Sequence, residues 1–145
     1  MAGLIFRIPK RMYDFSGLPS GGTATIPMAT GLDMSMYREV VVVVRFHLNP
    51  TNWTNTQVFT VSARLDAPTP EDPGTEFFGT VDLGSVAMFT QGTDTAPAVK
   101  FFTLLNAATG TSNLPATIRI VIKGTGGSAP ATFQVAVSVD VTGRS

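Results

Sequence analysis

The chain contains no cysteine and a single histidine, and only 14% of its 145 residues are charged. The first absence removes disulfide staples, thiolate metal sites and cysteine nucleophiles together. The lone histidine, His47, excludes a histidine cluster as a metal site. It sits in mid-strand beside valines, where a structural or interface role is expected. No Gly-x-Ser-x-Gly elbow is present to supply an activated serine. The glycine-rich stretch Gly124-Thr-Gly-Gly-Ser lacks the Gly-Lys-Ser/Thr ending of a phosphate loop and reads as a hairpin loop. The carboxylates fall mostly in turns, without a pair whose surroundings would drive their pKa values apart, so glycosidase chemistry has no support. No catalytic, cofactor-binding or metal-ligating residue is therefore expected, and the chain reads as non-enzymatic.

Charge of one sign is also lacking, because ten Lys and Arg balance ten Asp and Glu. A nucleic-acid partner would want a basic excess, and none exists. No apolar run reaches the length of a membrane span, so no membrane partner is expected. From Met1 to Arg11 the charges follow a few apolar residues, the reverse of the order in a secretory signal, and synthesis in the cytosol, or export by a route the sequence does not show, is expected. A neutral, sparsely charged surface does little to keep copies apart. The composition favours self-association or docking on a larger assembly.

What the chain does have is strand-forming residues in alternation. Arg38 to Leu48 contains five consecutive valines and is too short to cross a membrane. Alternation turns Val40, Val42, Val44, Phe46 and Leu48 inward and leaves Val41, Val43, Arg45 and His47 outside. Two valines on the outer set imply that this face is partly covered by another segment or another subunit. Val58 to Leu65 alternates in the same way, with Phe59, Val61, Ala63 and Leu65 inward. Phe77 to Met88 and Lys100 to Asn106 supply further strands. Thr117 to Lys123 and Thr132 to Val141 form the clearest hairpin, the first turning Ile118, Ile120 and Ile122 inward and the second Phe133, Val135, Val137, Val139 and Val141. No helical periodicity is found. About eight strands separated by turn signals predict an all-β, antiparallel two-sheet β-sandwich of jelly-roll type.

Residues 1–31 read as an extended N-terminal arm with short strands, Leu4 to Ile8 and Thr23 to Met28, and residues 32–145 as one sandwich domain. Leu4, Ile5, Phe6, Ile8, Met12, Tyr13 and Phe15 are too apolar for a solvated tail, and Arg7, Lys10 and Arg11 make this the most basic part of the chain. The arm reads either as a frayed terminus with solvated charges or as a clamp that lies on a neighbouring molecule, and in the second case removing residues 1–15 is expected to leave the fold intact and abolish particle binding. Three prolines and four acids, Asp66, Glu71, Asp72 and Glu76, mark residues 66–76 as a loop. It lacks the ligand spacing of a Ca²⁺ loop. Its acids either meet the basic arm across a subunit boundary or are solvated. Trp53, in the polar loop after Asn49-Pro50, reads as a lid on the end of the core or as an exposed stacking platform.

From Leu32 onward the order of features resembles a recurring class of small structural proteins of tailed bacteriophages. The matching pieces are Leu32-Asp-Met-Ser-Met-Tyr-Arg-Glu entering the valine strand, Phe89-Thr-Gln in the middle, and Ile118-Arg-Ile-Val-Ile, a Gly-rich turn and Phe133-Gln-Val-Ala-Val-Ser-Val at the close. The sequence departs from that pattern in the long acidic, proline-rich loop and in Met36, where glycine is usual. The resemblance implies a jelly roll or related sandwich that decorates or cements a capsid. Its partners would be the major capsid protein and its own copies, as a homodimer or homotrimer on the virion surface. The expected contact residues are Leu4 to Phe15 and an outer face around Arg45, His47, Arg64, Arg119 and Lys123. A tail or baseplate adaptor, or a carbohydrate- or receptor-binding module, would use the same architecture.

Overall fold

The five valines lie in β3 (Glu39–Leu48) of a computed structural model, and the strand divides as its pleat requires. Val40, Val42, Val44 and Phe46 are fully buried, whereas Val41, Val43, Arg45 and His47 are half-buried on the opposite face. The structure describes residues 2–16, 21–48, 57–66, 82–90, 93–105, 114–115, 117–126 and 134–145. Trp53, Glu71, Asp72, Glu76 and Phe133, singled out in the sequence, lie outside the described residues.

Among the described residues seven further strands accompany β3: β1 (Ala2–Asp14), β2 (Thr23–Asp33), β4 (Val58–Leu65), β5 (Ala87–Thr90), β6 (Ala98–Leu105), β7 (Thr117–Thr125) and β8 (Gln134–Arg144). No helix occurs among the described residues. The strands form two antiparallel four-stranded sheets, ordered β1-β8-β3-β6 and β2-β7-β4-β5. The first strand pairs with the last, the second with the seventh, the third with the sixth and the fourth with the fifth. This nested pairing, one long hairpin rolled so that strands along each of its arms alternate between the sheets while β4 and β5 at its tip share one, is the jelly-roll order.

The core lies between the sheets. Val135, Val137, Val139 and Val141 of β8 join the inward residues of β3 on one side, and Phe59, Val61, Ile118, Ile120 and Ile122 of β4 and β7 face them from the other. Phe46 on β3 and Phe89 on β5 tie the sheets together with ring centroids 5.2 Å apart. The turn into β3 is held by its own side chain, because Asp33 Oδ1 accepts from the Ser35 amide at 2.9 Å and the Tyr37 amide donates to Met34 O at 3.1 Å. Met36 points away from this turn and is 80% exposed, so the position carries no packing demand.

The N-terminal segment differs from its expected form. The described residues of this segment, 2–16 and 21–31, do not stand apart from the sandwich: β1 runs along β8 and β2 along β7, each as the outer strand of its sheet. The two short strands expected there are longer, because bulges at Ile5, at Pro9-Lys10 and around Met28 let β1 and β2 continue past residues that break simple alternation. Ile8, Tyr13 and Phe15 enter the core. The Phe15 ring sits against Gly124, where an added Cβ would lie 2.6 Å from its Cγ, and packs beside Phe59 at 5.7 Å. Gly124, expected in a hairpin loop, belongs to β7 and leaves room for that ring.

Asp66 holds the other sheet together at one end. Its Oδ2 accepts from the amide of Gly31, a residue at φ 65°, and its Oδ1 accepts from Arg119 Nη2 at 2.9 Å. The carboxylate is 9% exposed, so replacing it with Ala leaves a largely enclosed guanidinium without its counter-charge. Asp66→Ala is expected to lower stability by about 3 kcal/mol in urea unfolding. A change below about 0.5 kcal/mol, as for an ordinary surface position, would contradict this account.

Candidate functional site

The outer face of the β1-β8-β3-β6 sheet gathers most of the exposed chemistry. β8 lies between β1 and β3, and its residues alternate between core and surface, so Ser138 and Asp140 point outward between the valines. Register sets Arg7 of β1 opposite Asp140, and Arg45 of β3 opposite Ser138. Arg7 Nε donates to Asp140 Oδ1 at 2.8 Å and Arg45 Nη1 donates to Oδ2 at 2.9 Å, so one carboxylate bridges three strands. The Arg7 hydrogen bond holds the Asp140 carboxyl below its usual range, against the opposing effect of burial and with further help from Arg45.

The bulge at Pro9-Lys10 lifts the sheet edge and opens a shallow hollow of about 400 Å³ lined by Arg7, Ile8, Pro9, Lys10, Arg45, Ser138 and Asp140. Three cations meet one carboxylate there, and Lys10 has no carboxylate partner among the described residues. The hollow therefore keeps a positive bias. Its groups are hydrogen-bond donors on a rigid sheet, suited to an acidic side chain of a docking partner.

His47 stands next along β3, with Nε2 2.8 Å from Ser138 Oγ. That is hydrogen-bond distance, and it ties the imidazole of β3 to the hydroxyl of β8. Burial, and then the charges of Lys10 and Arg45, push the imidazole below its ordinary value of 6.5. Folding thus favours neutral His47. This contribution is complete above pH 6.5 and is lost as the pH falls through the lower value of the folded state. As the only histidine, it gives one imidazole resonance by NMR, expected to titrate with a midpoint below 6.5. A midpoint at or above 6.5 would contradict the burial and charge described here.

Towards β6 the same face turns apolar. Val43 pairs in register with Phe101 and Arg45 with Val99, and Phe101 and Val99 are 70% and 61% exposed.

The expected contact residues do not form one surface. Arg45 and His47 share the face just described, but Arg64, Arg119 and Lys123 lie on β4 and β7 of the other sheet, across the core. Arg64 is buried and donates to Asp82 Oδ1 at 3.0 Å, with Ser62 on the same oxygen, and Arg119 is held by Asp66. Alternation along β4 and β7 correctly turned these arginines out of the core, and it carries no information about which sheet a strand joins. In β1, Leu4, Phe6, Arg7, Lys10, Arg11 and Met12 are exposed, Ile5 is half-buried, and Ile8 and Tyr13 are buried, as is Phe15 just after the strand. Burial raises the Tyr13 phenol above its usual 10, opposed by the charge of Arg11. Ser138 and Asp140 were not singled out from the sequence, although their outward register between Val137, Val139 and Val141 was the available signal.

No protein-family model matches the chain, and no curated protein matches it in sequence.

Proposed function

We propose that the protein is a non-enzymatic structural component of a bacteriophage virion that binds the outside of the capsid and cements it, with the major capsid protein as its partner. The observation that carries this reading is the outer face of the β1-β8-β3-β6 sheet, where a rigid jelly roll exposes a basic hollow beside apolar side chains. A cement protein needs a docking face on a stiff frame, and a modest contact repeated over a shell stabilises it through multivalency. The resemblance of the Asp33-Met-Ser-Met-Tyr turn, the valine strand and the closing pair of strands to phage structural proteins supports the same assignment.

The test is re-addition of purified protein to particles that lack it. Lys10→Glu reverses an exposed charge without breaking an ion pair, and is expected to weaken binding by about tenfold or more. Lys123→Glu, on the opposite sheet, is expected to bind as the unaltered protein does. Loss of binding in Lys123→Glu with retention in Lys10→Glu would move the docking face to the other sheet.

A further inference from the structure

Each sheet of an open sandwich has two edges, whose unpaired backbone groups invite another strand unless something blocks it. Three of the four edges here carry a block. β1 has Pro9, two breaks in register and the exposed cations Arg7, Lys10 and Arg11. β2 has Pro27 and two breaks in register. β5 is only four residues long. The fourth edge, β6, has none of these devices among the described residues, although the Leu105 carbonyl at its end accepts from the Leu114 amide at 3.1 Å. It is eight residues long, contains no proline, pairs with β3 without a register break, and exposes Val99 and Phe101. Its one charge is restrained, because Lys100 Nζ donates to Asp94 Oδ1 at 2.9 Å while Asp94 Oδ2 accepts from the Thr90 amide at 2.8 Å.

We infer that β6 is a homodimer edge, where β6 of a second copy pairs antiparallel about a twofold axis and joins the two β1-β8-β3-β6 sheets into one sheet of eight strands. The occupant is a second copy because the strand is complementary to itself. Centring the axis on Phe101 sets the two Phe101 rings opposite each other on the outer face and Val99 opposite Thr103 of the second copy. On the inner face it sets Ala98 opposite Leu104 and Lys100 opposite Phe102. Aromatic and apolar cross-strand pairs are favourable, and this register keeps the two lysines from facing each other, as a shift towards Lys100 would not. Near-zero net charge removes long-range repulsion between the copies. The inference concerns the isolated chain and does not depend on the capsid reading.

Because the chain has no cysteine, one introduced thiol reports the register directly. Phe101→Cys is expected to give a covalent dimer on mild oxidation, since directly opposed Cα atoms lie about 4.5–5.5 Å apart, within disulfide reach. Val99→Cys alone is expected not to cross-link, its two copies being separated by about 13 Å along the strands. An equimolar mixture of Val99→Cys and Thr103→Cys is expected to yield the mixed dimer. In sedimentation the unaltered chain is expected to be a dimer at micromolar concentration, and Phe101→Lys, which sets two ammonium groups opposite each other, to dissociate at least about tenfold more readily with an unchanged far-UV spectrum. A monomeric or trimeric unaltered chain, or cross-linking of Val99→Cys as fast as that of Phe101→Cys, would overturn the inference.

Discussion

A chain lacking residues 2–15 is expected to lose its cooperative unfolding transition. The segment was expected from the sequence to be a detachable arm, but β1 pairs with β8 over almost its whole length. It also carries Ile8 and Tyr13 into the core, and the residue after it, Phe15, covers Gly124 and packs beside Phe59. Burying side chains of this size contributes about 1.5–3 kcal/mol each. Three of them approach the whole of a domain's net stability, about 5–15 kcal/mol. The deletion would also leave β8 as an exposed edge. Thermal unfolding followed by far-UV circular dichroism distinguishes the outcomes. A cooperative transition close to that of the full chain would show that β1 is dispensable, and removal of residues 2–4 alone, ending at the exposed Leu4, is expected to change little.

Phe46→Ala is expected to cost about 3–5 kcal/mol, the range for truncating a buried aromatic side chain. Phe46 is fully buried on β3, a strand flanked on both sides, and its ring meets that of Phe89 from the opposite sheet. Few neighbours can collapse into the space, because the strands on either side are fixed by their ladders. Urea unfolding should show a lower midpoint with an unchanged slope. Met36→Ala, at an 80% exposed turn position, is expected to stay within about 0.5 kcal/mol of the unaltered chain. A loss below about 1 kcal/mol for Phe46→Ala would mean that the two sheets are not held together at this point.

The strands were legible wherever one face of a strand meets the core. The inward sets of β3, β7 and β8 follow directly from alternation, since Val, Ile and Phe recur at every second residue there. β1 was less legible because Pro9, Lys10 and Arg11 interrupt its pattern, and a bulge restores in space what the sequence breaks. Which strands share a sheet was not legible, and the hairpin expected of Thr117 to Lys123 with Thr132 to Val141 does not form: β7 pairs with β2 and β4 in one sheet, and β8 with β1 and β3 in the other. Arg45 and Arg64 both read as outward cations, and only the rolled topology sends them to opposite faces. The Arg7-Asp140-Arg45 bridge joins residues far apart in the chain, so no local spacing announces it. Asp66 read as one of a cluster of loop acids, yet it closes the end of a sheet, because a carboxylate between the amide of a positive-φ glycine and a largely enclosed guanidinium is worth more there than in solvent.

The most direct test of the proposed role is quantitative mass spectrometry of gradient-purified particles from the source, giving copies of this chain per major capsid subunit. A cement protein repeated over the shell predicts a ratio on the order of one. A ratio far below that, or absence of the chain from the particles, would contradict it.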